Sequence, residues 1–343
     1  MNKLIFFLFT LFYLPAYCQI SNIEYYKGIK SAEQQILDSN FNSAVNIYYL
    51  TFQKNAFVYA KDAYTAAQTA LSVDSFEKGF YFLGRGVKQG LTKEIIENSP
   101  ILRKVKDTPK WISFLEIDYP YFRSSYLLRI NNSVKSEIEE IISIDQYFTR
   151  KLNNSNFITY VINNRRWKKV VSKLVDDKLI KIIKTYGYPG EKLIGINAQQ
   201  ILYNTLEVDT ISKLNAISKG FGYIGSSYSE ILLIHYFSNR RDSSLISLLE
   251  KELNMGNIQP SQFAVIIDFF AKYSKPVDNP FYNQWHRNTS LVERNRINDR
   301  RTSIGLESYE NLLLKEARNR NILKSIKNGN TEHIKLWTIW GSY

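Results

Sequence analysis

Residues 141–150 read IISIDQYFTR and lie at the centre of a pattern that predicts a helix over residues 134–152. The apolar residues at helical spacing on one side of this helix are Val134, Ile138, Ile141, Phe148 and Leu152. Asp145 lies in the middle of that apolar side. A buried carboxylate is either paired or protonated, because burying an unpaired charge costs several kcal/mol. The pattern therefore predicts that Asp145 meets a partner from another part of the chain.

The rest of the chain also favours helices. The sequence contains only 8 Pro and 15 Gly among 343 residues, which favours long helices over many short strands. The apolar run YSEILLIHYF at residues 228–237 predicts a central buried helix that carries His235. The segment FITYVI at residues 157–162 is rich in β-branched residues and fits either a strand or a buried helical turn. We therefore expect an all-α fold.

Residues 21–90 contain two helix–turn–helix units that are offset by 35 residues. The residue pairs at that offset are Ala32 and Ala67, Ile36 and Leu71, Phe41 and Phe76, Ala44 and Gly79, and Tyr48 and Leu83. This segment resembles the tetratricopeptide repeat, although the family's Trp and Pro positions are not filled. The resemblance implies tetratricopeptide-like helical hairpins over residues 19–130, with a concave surface for a protein or peptide partner.

Residues 1–18 have the pattern of a signal peptide, with one basic residue and a short apolar run. Cleavage after Cys18 is our first interpretation, and lipid attachment at Cys18 is the alternative. Tyr17 stands where a lipid-attachment motif usually has Gly or Ala, which favours cleavage. No later apolar run is long enough to span a bilayer. We therefore predict an exported protein, periplasmic or extracellular, with no transmembrane segment in the mature chain.

The composition limits the partners and cofactors of the chain. Its formal net charge of +13 favours acidic partners, such as an anionic envelope component, or else forms a solvated basic surface. We do not expect nucleic acid as a partner of an exported protein. Cys18 is the only cysteine, so we expect no disulfide and no cysteine–metal site in the mature chain. The three histidines, His235, His286 and His333, are far apart in sequence, and no metal or cofactor motif is present.

The second part of the chain resembles an uncharacterised family of exported bacterial helical domains. That family carries a DQ pair, a GWP turn, a buried His, an Asp-bearing helix, a YGTQ-like loop and a terminal RR-x-x-x-GL element. The matching residues are Asp145-Gln146, Gly187-Tyr188-Pro189, His235, Asp268, Gln284, Arg300-Arg301 and Gly305-Leu306. The resemblance covers residues 136–309 and implies a helical domain over residues 131–343, but it implies no reaction. The chain departs from the pattern at Tyr188, which replaces Trp, and at Thr149, where the family has an Arg.

The matched positions have the residue types of an acid/base centre with a guanidinium clamp for an anion. The catalytic candidates are Asp145, His235 and Asp268, and the anion-binding candidates are Gln146, Gln284, Arg300 and Arg301. In the structural alternative, Asp145 pairs with Arg300 or Arg301. His235 then bonds a backbone carbonyl or a Tyr hydroxyl.

Two functions follow from these patterns. The first is an exported cell-envelope protein that binds a partner, or acts as a scaffold, through the helical-repeat surface of residues 19–130. The second is a hydrolase or transferase that acts on an anionic substrate at the Asp/His/Arg pocket. The sequence leaves open whether the protein is an enzyme.

Overall fold

The computed structural model describes residues 22–97, 99–196, 229–274, 281–283, 289–327, 334 and 336. The predicted signal peptide at residues 1–18 lies outside this set. The described residues form helices and contain no strand, which confirms the all-α prediction. In the described ranges, no helix combines the length and the apolar character that crossing a bilayer requires.

The first eight helices precede the central helix. They are α1 (Asn22–Leu37), α2 (Phe41–Gln53), α3 (Ala60–Ser72), α4 (Phe76–Val87), α5 (Lys93–Glu97), α6 (Pro100–Arg103), α7 (Pro109–Ser113) and α8 (Tyr119–Arg129). A π-helical turn, Phe114–Asp118, joins α7 to α8. The central and later helices are α9 (Asn132–Asn153), α10 (Phe157–Leu174), α11 (Ile180–Tyr186), α12 (Glu191–Ile194), α13 (Ser229–Phe237), α14 (Ser243–Asn254), α15 (Pro260–Ser274), α16 (Leu291–Ser303) and α17 (Tyr309–Lys327). A second π-helical turn, Val175–Leu179, joins α10 to α11.

Helices α1 and α2 pack against each other, and so do α3 and α4. The short link inside each pair contains one residue in the left-handed backbone region: Ser39 at φ 60° and Asp74 at φ 54°. These two residues are separated by the same 35-residue offset as the apolar pairs. The likeness to tetratricopeptide repeats, and the domain boundary at residue 130, stay predictions.

The buried apolar residues form two cores. The first core is built from α1–α7 and also includes Ile196, Ile334 and Leu336 from later parts of the chain. The second core is built around α9, α10, α11 and α13–α15. Residues from the later chain therefore complete the first core.

The central helix α9 begins and ends close to the predicted limits. The side chain of Asn131 caps it by accepting a hydrogen bond from the Val134 N–H at 3.0 Å. Its buried residues are Val134, Ile138, Ile141, Asp145 and Leu152. The segment FITYVI forms the first turns of α10, so the helical alternative is the observed one.

A buried cluster of charged side chains ties α17 to α1. Lys315 Nζ lies 2.5 Å from Glu33 Oε2 and 3.6 Å from Glu307 Oε2. Lys30 Nζ lies 2.9 Å from Glu33 and 3.0 Å from Glu307. Burial raises the pKa of Glu307, but Lys30, Lys315 and Arg301 outweigh that effect and hold the pKa well below its usual range. The four groups therefore depend on one another for their charges.

A second buried carboxylate, that of Glu191 on α12, connects to the start of α3. Glu191 Oε1 accepts the Ala60 N–H at 2.6 Å, which caps α3 where the preceding Tyr59 has no side-chain cap. Burial raises the pKa of Glu191 from 4.5 to about 8, although the Ala60 N–H and Arg129 partly oppose the shift. The folded chain therefore holds a proton at Glu191 in a pH range where the unfolded chain does not.

We predict from this shift that the free energy of unfolding falls as the pH rises towards the pKa of Glu191 in the folded state. The pKa is higher in the folded state, so the contribution is fully present below about pH 4.5 and is lost as pH approaches 8. At about 1.4 kcal/mol per pKa unit, the loss amounts to a few kcal/mol. Urea denaturation of wild type and Glu191→Gln between pH 4 and pH 9 measures it. The variant should match wild type at pH 4 and exceed it at pH 9, and a constant difference across pH would contradict the assignment.

Candidate functional site

The carboxylate of Asp145 on α9 accepts hydrogen bonds from three side chains. Trp167 Nε1 on α10 donates to Oδ1 at 3.0 Å, and Gln146 Nε2 donates to Oδ2 at 3.0 Å. His235 Nδ1 on α13 lies 2.9 Å from Oδ1 and 3.0 Å from Oδ2. The carboxylate itself is fully buried. Asp145 thus has the partner that its position on an apolar side requires.

Helix packing brings these side chains together from distant parts of the chain. Helix α9 packs along α10, and α13 packs against both. Asp145 and His235 are separated by 90 residues in sequence. All residues of α13 except Ile231 and His235 are buried, among them Leu232, Leu233 and Phe237. The buried surroundings of α13 hold the imidazole of His235 in a fixed position against Asp145.

The geometry determines how His235 is protonated. An ionised carboxylate only accepts hydrogen bonds, and all three neighbours of Asp145 offer donors. Nδ1 of His235 therefore carries the proton that points to Asp145, and Nε2 is left with a free lone pair whenever the ring is neutral. None of the described residues forms a hydrogen bond with Nε2. The side chain of His235 is 21% exposed, whereas that of Asp145 is not exposed at all. A fully buried carboxylate thus orients an imidazole ring that is itself partly exposed.

Trp167 contacts both Asp145 and His235, and it is not among the site residues predicted from the sequence. Its indole ring lies edge-on to the His235 ring, with 5.0 Å between the ring centroids. Because the indole N–H also donates a hydrogen bond to Asp145, Trp167 contacts both Asp145 and His235. Trp167 stands between two pairs of basic residues, Arg165-Arg166 and Lys168-Lys169. The better signal is helical spacing, because Trp167 falls on the same side of α10 as the buried residues Asn163, Val171 and Leu174.

The predicted pairing of Asp145 with Arg300 or Arg301 is wrong. Arg301 is fully buried, and it donates from Nε to the Glu307 carbonyl at 2.7 Å and from Nη1 to the Tyr282 carbonyl at 2.9 Å. The guanidinium of Arg300 stacks on the Phe281 ring, 4.2 Å from its centroid. Arg301 thus donates its hydrogen bonds to one backbone carbonyl before α16 and to another after it. It forms no ion pair with Asp145. The prediction that His235 bonds a carbonyl or a Tyr hydroxyl is also wrong, since its partner is Asp145.

Asp268 and Arg301 both form hydrogen bonds with the backbone of Tyr282, and Asp145 lies in a different group of side chains. Oδ1 of Asp268 accepts the Tyr282 N–H at 2.6 Å, while Arg301 donates to the carbonyl of the same residue. The two side chains therefore hold residue 282 from both sides of its backbone. The structure divides the sequence-predicted site into two groups: Asp145, Gln146 and His235 with Trp167, and Asp268, Arg300 and Arg301 with residues 281–282. Gln284 lies outside the described residues.

Metal binding was not predicted, and within the described ranges no group of three His, Cys, Asp or Glu side chains is arranged as a metal site. His286 and His333 lie outside those ranges.

Comparison of the chain with protein-family models, with curated proteins and with solved structures gives no match. The resemblance to the exported helical domain family stays a prediction that rests on the quoted motifs.

Proposed function

We propose that the protein is a hydrolase or transferase in which His235 acts as general base and Asp145 orients it. The observation that carries this proposal is the hydrogen bond from His235 Nδ1 to both oxygens of a fully buried carboxylate. A His held in one tautomer by a carboxylate is the arrangement that activates hydroxyl and water nucleophiles in many acyl-transfer enzymes.

The chemistry uses Nε2 of His235. As a water molecule or a substrate hydroxyl attacks the electrophilic centre, Nε2 takes its proton and the ring becomes an imidazolium. Asp145 stabilises that positive charge through Nδ1–H. The imidazolium then gives its proton to the leaving group, which departs as the new bond is completed. The ring returns to its neutral form, so protons balance over the cycle.

We still propose a negatively charged substrate, but the positive charge that binds it comes from Arg240 rather than from Arg300 or Arg301. Arg301 is buried among backbone carbonyls and is not available to a ligand at His235. Arg240 follows α13 five residues after His235, and its side chain is 55% exposed while it contacts Asp176 at 3.4 Å. Together with the net charge of +13, Arg240 supports a negatively charged substrate.

The experiment that tests this function is a hydrolysis assay of the full chain with p-nitrophenyl acetate and p-nitrophenyl phosphate as probes. The two probes separate acyl transfer from phosphoryl transfer. Support requires a rate above background that depends on His235. We expect the replacement of His235 to lower that rate by about 10²–10⁴-fold.

We also propose, as a second function, that the exported protein binds a protein partner in the cell envelope through α2 and α4. Tyr49 and Tyr81 form an edge-on pair with centroids 5.2 Å apart, and Lys78 Nζ lies 5.3 Å from the Tyr49 ring centroid. Leu50 on α2 and Phe76 on α4 are exposed on the same two helices. Exposed aromatic and aliphatic side chains on one surface are typical of protein interfaces.

Leu50→Asp is expected to weaken the binding of an envelope partner to this surface. The charge would have to be buried against the partner, and we expect at least a tenfold loss of affinity. Quantitative capture of envelope proteins by the full chain measures it, with Leu314→Asp as the control because the two leucines are 55% and 54% exposed. A partner that binds wild type and Leu314→Asp but not Leu50→Asp supports the proposal. An identical set of captured proteins for all three would contradict it.

A further inference from the structure

The outer side of α10 begins with a group of exposed apolar residues. Phe157 is 83% exposed and Ile158 is 72% exposed, and Val161 and Ile162 are exposed as well. Successive residues of an α-helix turn by about 100°, so these four residues occupy one side of the helix. A β-branched and aromatic cluster of this kind, open to water, is unfavourable unless something covers it.

The same side of α10 continues with basic residues. Arg165, Lys168 and Lys169 lie one to two turns further along the same side, and all three are exposed. None of the acidic side chains in the described ranges pairs with them. Between residues 141 and 174, Asp145 is the only acidic residue, and it is buried beside His235, whereas that segment holds seven Lys and Arg residues. The outer side of α10 is therefore apolar at its beginning and positively charged towards its end.

The opposite side of α10 is fixed to the rest of the protein. Asn163, Val171 and Leu174 are buried there, and Trp167 donates its N–H to Asp145. The helix therefore has no freedom to turn its apolar residues inward without breaking the contacts of Trp167. The exposed side is a stable feature of the folded chain.

We propose that this side of α10 docks on the surface of an anionic lipid bilayer. Aliphatic and aromatic residues next to Lys and Arg are the two components of an interfacial helix: the apolar side chains enter the boundary of the acyl chains, and the basic ones bind lipid phosphates. A second copy of the chain would place Arg165, Lys168 and Lys169 against the same charges, and that like-charge contact disfavours self-association. Nucleic acid would leave Phe157 and Ile158 uncovered.

The spacing along α10 fits this interaction. The centre of the apolar group and the centre of the basic group are about eight residues apart, which is about 12 Å at 1.5 Å per residue. An apolar face in an interfacial helix sits about 5–10 Å deep. A helix that enters obliquely, with Phe157 deepest, therefore brings its basic residues to the level of the phosphates. Tyr147, exposed on α9, lies on the neighbouring helix of the same hairpin and suits an interfacial position.

The test is sedimentation of the full chain with vesicles of phosphatidylcholine containing 30 mole percent phosphatidylglycerol, compared with pure phosphatidylcholine. We expect the protein to bind the anionic vesicles, and this binding should weaken as the salt concentration increases. The triple variant Arg165→Gln, Lys168→Gln, Lys169→Gln should lose roughly fivefold per residue, or on the order of 100-fold in partition coefficient at low salt. The control triple variant Lys181→Gln, Lys184→Gln, Lys251→Gln has the same net charge and removes exposed lysines elsewhere. It should bind nearly as wild type.

A second pair of variants tests the apolar residues. Phe157→Ser with Ile158→Ser should weaken binding at least tenfold, whereas Leu127→Ser with Leu128→Ser should not, although Leu128 is 85% exposed. An environment-sensitive fluorophore on Ile158→Cys, in a Cys18→Ser background, should shift to the blue on anionic vesicles. The same fluorophore on Leu128→Cys should not shift. Circular dichroism confirms that each variant is folded.

Four results would overturn the proposal. The first is no difference between anionic and neutral vesicles. The second is equal losses in the α10 variants and in their matched controls. The third is a concentration-dependent dimer in sedimentation velocity that Phe157→Ser with Ile158→Ser abolishes, because a second copy would then cover the apolar residues. Binding to polyglutamate but not to vesicles would point to an acidic protein and would likewise overturn it.

Discussion

Replacing His235 with glutamine is expected to lower the rate of the hydrolysed nitrophenyl probe by about 10²–10⁴-fold, the usual contribution of a positioned general base. Glutamine keeps a polar group of similar reach towards Asp145, but its amide has no basic nitrogen to take the proton of the nucleophile. The loss should therefore appear in kcat, because proton transfer occurs in the transition state.

Asp145→Asn should give a loss of the same order while leaving a folded protein. The asparagine side chain no longer offers two acceptor oxygens to Nδ1, so the imidazole is free to adopt the tautomer that protonates Nε2. Imidazole ¹⁵N spectra check this directly, and they are simple because the chain has only three histidines. Wild type should show His235 protonated at Nδ1 when neutral, and the variant should show a mixture.

His333→Gln is the matched control for these kinetics, since it makes the same chemical change outside the Asp145–His235 pair. Its rate should equal that of wild type. A folded His235→Gln protein with the wild-type rate would remove the basis of the enzyme proposal. A purely structural role for the pair predicts lower stability in Asp145→Asn together with unchanged rates of any probe reaction.

Lys315→Met is expected to destabilise the protein by about 3–5 kcal/mol, the cost of removing one partner from a buried ion pair. Glu33 and Glu307 would then be left buried, with Lys30 still in contact with both carboxylates. Burial lowers the pKa of Lys315, and the neighbouring carboxylates of Glu307 and Glu33 partly oppose that shift. Urea denaturation of the full chain at pH 7 measures the change.

Two further variants make this prediction specific. Lys315→Met with Glu33→Gln removes both charges of the closest contact and should recover part of the loss. Lys178→Met breaks a half-exposed pair with Glu140 at 3.2 Å and should cost less than about 1 kcal/mol. Equal losses from Lys315→Met and Lys178→Met would show that the buried cluster adds nothing beyond a surface ion pair.

Local patterns predicted the helices around the site well. The predicted helix over residues 134–152 agrees closely with α9, which spans Asn132–Asn153. The Asn131 cap of α9 and the end of α11 before Gly187, which adopts φ 89°, are features of the same local kind. These features depend on residues within one or two turns of each other, so the sequence contains the necessary information. The segment FITYVI was ambiguous because a six-residue apolar run fits a strand and a helix equally well. Only its continuation into α10 decided between them.

The sequence by itself determined that Asp145 lies on the buried side of α9 and needs a partner. Which side chain supplies that partner was decided only by the tertiary structure, which brings Trp167 and His235 to the carboxylate and leaves Arg301 with the carbonyls of residues 282 and 307. The physical reason is that helical periodicity reports which side of a helix is buried, while the partner depends on which other helix packs there. Charge alone favoured an arginine, and the packing of α13 against α9 and α10 placed a histidine instead.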